Sequence, residues 1–304
     1  MAHPPALEAW SREGRWLEVG GRRLWVSDRG ESGERPDLVC LHGFPSFAHD
    51  FHRVLPTLRE AGRVIVHDHL GFGLSDKPKA HAYSLIEQAD LALELWKGLG
   101  VQRALLLAHD YGTSVATEIL ARRESASLGF ELAGVVMSNG SMHIELAQLT
   151  WPQLVLQHRL LGPLLGRLGP RSLFERRLRK TFHRPPDRGD IEMMWHGLVA
   201  GGGRAVLGHL GRYLHERRTH WERWIGALTR LDLPILVLWG REDPIAVPAI
   251  AQQLERECPH PSLHWLDGVG HYPMLEAPDA WAAAVDSFWS SLASAPSQEG
   301  KQQE

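Results

Sequence analysis

The chain has 304 residues with 43% hydrophobic content, enough apolar material for one large core or a core carrying an insertion, and this excludes disorder as its main state. A formal net charge of −3, with both signs well mixed, shows no overall bias toward DNA or an anionic membrane, so neither nucleic acid nor a membrane is an expected partner. Two distant cysteines, Cys40 and Cys258, offer neither a disulfide framework nor a thiolate metal site.

The first residues, MAHPPALEAWSREGRW, lack a basic start followed by an apolar run, and no later stretch approaches the ~20 apolar residues of a span. A soluble, cytoplasmic protein is expected. RWLEV, Gly20-Gly21 and RRLWVSD then predict an antiparallel hairpin about a glycine turn. Six short, near-continuous apolar runs follow at 37–42, 63–68, 103–109, 132–138, 233–240 and 262–266. Strands buried on both faces of a parallel sheet have this pattern.

Between the runs lie helical stripes. The clearest joins Leu85, Ala89, Ala92, Leu93, Trp96 and Leu99, with Ser84 and Glu87 spaced as a capping box and Gly100 as the stop. This alternation predicts an α/β fold, a mostly parallel doubly wound sheet with the hairpin at its start. It breaks at 142–227, which is rich in Arg, His, Trp and Leu and reads as an inserted helical cap. The expected organisation is core at 1–141, cap at 142–227, core again at 228–292 and a disordered tail at 293–304. The basic RRLRK at 176–180 could meet an anionic partner, but a solvated helix face is the stronger expectation.

The strand RALLLAH runs directly into Asp110, Tyr111 and Gly112, and then into TSVATEIL, the start of a helix. A strand, sharp turn and helix in this order form a nucleophile elbow, which lifts one side chain above the carboxyl edge of the sheet and points a helix N-terminus at it. The lifted residue is Asp110. No GxSxG occurs in the chain, and Thr113 and Ser114 fall past the apex. A carboxylate is already ionised and can displace a leaving group at saturated carbon, giving an alkyl ester; epoxide opening and carbon–halogen cleavage are reactions of this kind.

REDP after LPILVLWG places Asp243 at a strand end, and DGVGHYP after SLHWL places His271 in the next loop. Nucleophile, acid, histidine is the hydrolase order. Asp243 would fix and charge-stabilise the imidazole, and His271 would take a proton from the water that attacks the Asp110 ester. The backbone N–H groups of Tyr111 and of Phe44, in HGFP, are the expected oxyanion donors. Taken singly, Asp110 could be a helix cap, Asp243 a turn residue and His271 one of eighteen histidines. Three such residues at the ends of three predicted strands, in the required order, make that improbable. No HExxH or His/Asp cluster suggests a metal, and no cofactor is expected.

HGFP (42–45), DHLGFGLSDKP (68–78), HDYG (109–112), GREDP (240–244) and GVGHYPMLEAP (268–278) resemble the Asp-nucleophile branch of the α/β-hydrolase superfamily, the epoxide hydrolases and haloalkane dehalogenases. With SNG (138–140) and RRTHWERWIGAL (217–228), the chain most resembles the mesoderm-specific transcript protein family. The resemblance implies an Asp110, Asp243, His271 triad. For epoxide hydrolases it also implies cap tyrosines that protonate the epoxide oxygen. Tyr213 resembles one of these; it is the single tyrosine of the cap, so a histidine or Trp151 would have to supply the second donor. Dehalogenases of this branch carry Trp after the nucleophile, where this chain has Tyr111, and fluoroacetate-type enzymes carry an arginine there.

Three functions are therefore expected in descending order: opening of a small apolar epoxide to a diol, dehalogenation of a haloalkane or haloacid, and a catalytically silent ligand-binding or scaffold role, since fold alone does not guarantee chemistry. The oligomeric state is left open.

Overall fold

A computed structural model describes residues 4–293. Eight strands form one sheet: β1 (Arg15–Val19), β2 (Arg22–Arg29), β3 (Asp37–Leu41), β4 (Val64–His67), β5 (Arg103–His109), β6 (Glu131–Ser138), β7 (Ile235–Gly240) and β8 (Pro261–Leu266). Their spatial order is β1-β2-β4-β3-β5-β6-β7-β8. β1 and β2 form the antiparallel hairpin, β2 pairs antiparallel with β4, and the pairings from β4 through β8 are parallel. Every residue of β3, β4 and β7 is buried, as expected for strands covered on both faces.

The helices are α1 (Pro5–Ser11), α2 (Leu55–Ala61), α3 (Leu85–Gly98), α4 (Tyr111–Arg123), α5 (Trp151–Leu156), α6 (Leu161–Leu168), α7 (Arg171–Arg179), α8 (Arg188–Val199), α9 (Leu207–Leu210), α10 (Tyr213–Thr219), α11 (Trp221–Thr229), α12 (Pro248–Glu257), α13 (Pro273–Glu276) and α14 (Pro278–Ser291). Two apolar clusters fill the two sides of the sheet, one around Trp96, Ile119 and Trp239 and the other around Trp25, Phe51 and Trp281. Between β6 and β7 the described elements are all helical, α5 to α11 with a 3₁₀ turn at Ala200–Ala205. Within this insertion α11 packs against α4 of the core, where buried Glu118 of α4 accepts hydrogen bonds from Arg223 (2.9 Å) and from the Trp224 indole (2.7 Å).

One local expectation is corrected. The helix at Leu85–Gly98 starts after Ser84, whose hydroxyl accepts from Ile86 N–H at 3.1 Å, but Glu87 turns away to His81 and does not close a capping box. Glu216, from α10, takes its place by accepting from Leu85 N–H (2.8 Å) and from the Ser84 hydroxyl (3.0 Å). The N-terminal segment also holds α1, whose Leu7 and Trp10 are buried; two apolar positions in a single turn gave no periodic signal. Apart from Ala293, the expected tail lies outside the described residues.

Candidate active site

The site is assembled at the carboxyl ends of β3, β5, β7 and β8. Between β5 and α4, Asp110 holds φ 43° and ψ −107°, a left-handed conformation rarely adopted by residues with a side chain. The surrounding structure holds the turn. Thr113 Oγ1 donates to the Asp110 carbonyl at 2.5 Å, and Gly112 N–H donates to the His42 carbonyl at 3.0 Å. A Cβ on Gly112 would lie 2.4 Å from the Leu41 carbonyl oxygen, so glycine lets α4 start directly against β3. Gly43 likewise clears the Asp110 side chain, whose Cβ a substituent there would meet at 3.0 Å.

The Phe44 N–H donates to Asp110 Oδ2 at 2.9 Å. Tyr111 N–H opens α4 directly after Asp110 and makes no hydrogen bond to another described protein group. Asp110 Oδ1 has no close hydrogen bond; the Arg217 guanidinium lies 4.0 Å from it. Arg217 is fully buried beneath the turn, donating to Ser114 Oγ (2.6 Å), Ser141 Oγ (2.5 Å) and the Asp110 carbonyl (3.2 Å).

His271 Nδ1 lies 2.7 Å from Asp243 Oδ2. Asp243 is itself fixed: Oδ1 accepts from Ile245 N–H (2.7 Å) and Ala246 N–H (3.0 Å), and Oδ2 accepts from the Asn139 amide (2.7 Å). Burial opposes a charge on the imidazole, but the adjacent Asp243 carboxylate outweighs it. With Asp110 and Glu276 adding, His271 is pushed up to about 9. Close by, Asp50 is buried and bonded to the Ser46 hydroxyl, and burial pushes its carboxyl well above the usual range.

A cavity of about 940 Å³, its mouth included, lies over this site. Phe44, Pro45, Ile245, His271 and Tyr272 form its floor, and α5 to α8 contribute apolar walls such as Leu156, Phe174 and Trp195. Asp110 is 3% exposed and does not itself line the cavity; it is joined to it through Phe44, which does.

The structure thus brings together Asp110, Phe44, Tyr111, His271 and Asp243. Tyr213 is also near, its ring centroid 5.4 Å from that of Phe44 and 5.2 Å from that of Tyr111, with Arg217 over its face at 4.5 Å. It stands behind Phe44 and not in the cavity wall, and its hydroxyl lies 3.5 Å from the Gln153 amide, which does line the cavity. The expected second donor is corrected. Trp151 is half-exposed with Arg177 over its ring at 5.3 Å, and no described histidine of the insertion lines the cavity. The polar groups that do line it are Thr150, Gln153, Thr181 and Tyr272 with two arginines, Arg177 and Arg204. Residue-level reading also missed the buried anchors Arg217 and Asn139. Asn139 carries a left-handed φ of 42° at the end of β6, and an Asn–Gly pair after an apolar run was its one sequence signal.

A parallel sheet with an acute turn after β5, an acid after β7 and a histidine after β8 defines the α/β-hydrolase class. The family model described as alpha/beta hydrolase fold matches residues 36–278, and the chain belongs to that family. It is 39% identical over 286 residues to a Mycobacterium tuberculosis protein named "Putative hydrolase LipZ", covering 93% of this chain and 98% of that one. It is 34% identical to the mesoderm-specific transcript homolog protein of Homo sapiens, covering 93% of this chain and 89% of that one. The haloalkane dehalogenase DbeA from Bradyrhizobium elkani superimposes with a TM-score of 0.78 at 22% identity, over 91% of this chain and 97% of that one, and shares the fold.

Proposed function

We propose that the protein hydrolyses a small apolar epoxide to a diol through an alkyl ester on Asp110. One observation carries the reading: Oδ2 of Asp110 is already held by the Phe44 N–H at 2.9 Å, while Oδ1 is left without a close donor. Oδ1 is then the attacking atom. It forms the C–O bond as the epoxide C–O bond breaks, and the leaving oxygen takes the proton of a phenol. The phenol that lines the cavity floor is Tyr272, the candidate donor; Tyr213, behind Phe44, is linked to the cavity through Gln153.

The ester carbonyl so formed has Oδ2 as its oxygen, resting against the Phe44 N–H. His271 takes a proton from water, hydroxide adds to the ester carbon, and the oxyanion develops on Oδ2 between the Phe44 and Tyr111 N–H groups. Collapse expels the alkoxide, which takes the proton from His271; Asp110, left as the acid, gives up its proton, the phenolate of the first step is reprotonated, and the carboxylate returns. In the resting site the charge of Asp110 helps keep the imidazole protonated. Alkylation removes that charge, so the first step lowers the proton affinity of His271 just when a base is needed.

The insertion then serves as a cap whose apolar walls select the substrate and exclude bulk water. Dehalogenation is the second reading, favoured by 26% identity, over 92% of this chain, to a Mycobacterium tuberculosis protein named haloalkane dehalogenase 2. Against it, the side chain after the nucleophile does not line the cavity: the Tyr111 ring packs instead on His69 and Phe72.

The test is trapping. With His271→Gln, incubation with styrene oxide is expected to leave the mass of one epoxide on the peptide carrying Asp110. A parallel arm with 1-bromobutane should give neither adduct nor bromide. Full turnover by Asp110→Asn, with deamidation excluded by mass, would sink the mechanism; bromide release with no diol would replace the epoxide reading by the halide one.

A further inference from the structure

Among the described residues, the largest exposed apolar side chains, Trp16 apart, lie together on α5, α6 and the turn between them. Leu160, Leu164 and Leu168 are 78%, 54% and 70% exposed, a stripe at i, i+4 and i+8, flanked by half-exposed Leu154 and Leu161. A helix apolar all round belongs in a core. Here α6 is held from its other side: Gly166 of α6 and Gly208 of α9 allow close backbone approach of the two helices, and Leu165 faces the cavity. The outward leucines contribute nothing to that packing. So wide an apolar stripe on a soluble surface marks a contact with something else.

The surrounding charge says what. Residues 151–184 carry eight Arg and Lys against one acidic residue, Glu175, a net charge of +7 in a chain whose total is −3. Arg159 and Arg167, within and beside the leucine stripe, are exposed, as are Arg176, Arg179 and Lys180 of α7. The two features are contiguous: Arg177 of α7 covers the Trp151 ring of α5 at 5.3 Å, and α5, α6 and α7 together wall the cavity. Leucines on one face with basic side chains around them are the composition of a helix that lies in the interface of an anionic bilayer.

We propose that α5 to α7 dock on an anionic lipid surface, with the leucine stripe entering the acyl boundary and the arginines meeting the headgroups, so that the apolar cavity opens toward the membrane. The docking is peripheral; no described helix is long and apolar enough to cross a membrane. Binding does not depend on the Asp110 chemistry, so the two proposals fail separately.

Flotation of the full chain with phosphatidylcholine vesicles, with and without 30% phosphatidylglycerol, tests this. The protein should float with the anionic vesicles, far less with the neutral ones, and Asp110→Asn should float as the wild type does. Leu160→Ser with Leu164→Ser and Leu168→Ser should abolish flotation while leaving the melting temperature unchanged, since all three side chains are exposed. Arg159→Gln with Arg167→Gln should weaken binding about thirtyfold, roughly fivefold for each charge removed. Wild-type protein that stays at the bottom with anionic vesicles overturns the proposal, as does flotation unaffected by the three serines. Sedimentation velocity covers the other occupant: a dimer that the serine variant dissociates, without vesicle binding, assigns the stripe to a second copy of the chain and overturns the proposal too.

Discussion

The two oxygens of Asp110 are not equivalent, and that asymmetry carries most of the proposed chemistry. Oδ2 rests on a backbone N–H donor, and Oδ1 faces only a guanidinium 4.0 Å away. On the proposed path His271 works only after Oδ1 has been alkylated and one of its neighbouring negative charges is gone. Decay of the trapped ester in the wild type, followed by rapid quench, should therefore accelerate with pH through an inflection below about 9, the value in the resting site. His271→Gln should show slow decay without that inflection. An inflection at or above the resting value would mean that Asp110 exerts no field on the imidazole. Asp110, Asp243 and His271 were legible because each follows an apolar run. Arg217 was not, since a run such as RRTH gives no sign of which arginine turns inward to meet Ser114, Ser141 and the elbow carbonyl.

At the level of elements, the elbow depends on where α4 is pinned. Its first turn touches β3 through Gly112, and its middle is tied to α11 by Glu118, whose carboxylate takes hydrogen bonds from Arg122, Arg223 and Trp224. Burial disfavours the charged carboxylate, but those donors prevail and hold Glu118 below its ordinary value. Glu118→Ala should cost about 2 kcal/mol in urea unfolding, because it leaves a buried indole N–H without its acceptor, while Arg122 keeps Asp90 and the Ile86 carbonyl and Arg223 meets water. Glu118→Gln should cost less, and equal losses would mean that packing, not charge, is what matters there. Strand positions were readable from continuous apolar runs, as burial on both faces demands. Contacts such as Glu118 to α11 and Glu216 to the start of α3 were not, because they join residues more than a hundred positions apart through single polar atoms.

For the whole molecule, the charge total of −3 conceals a segment of +7, so composition argued against the anionic surface that the proposed docking of α5 to α7 requires. Stability should also carry the mark of the site. The imidazole of His271 titrates near 6.5 when unfolded and near 9 when folded, so its contribution of about 3 kcal/mol is full below pH 6.5 and lost as pH rises through 9. Lys77 acts in the opposite sense: burial lowers it from 10.5 to about 8, so the cost of its buried charge is relieved as pH climbs through that range. The clean measurement is the difference in unfolding free energy between wild type and His271→Gln, which should shrink from pH 6.5 to 9. A constant difference would contradict the raised value.

The proposed ester on Asp110 fixes the origin of the oxygen in the product. In a single turnover of styrene oxide in H₂¹⁸O, with enzyme in excess, the oxygen added to the substrate should come unlabelled from Asp110, and the peptide carrying Asp110 should gain 2 Da. Label in the diol with an unlabelled Asp110 would mean direct attack by water, and the ester mechanism would be wrong.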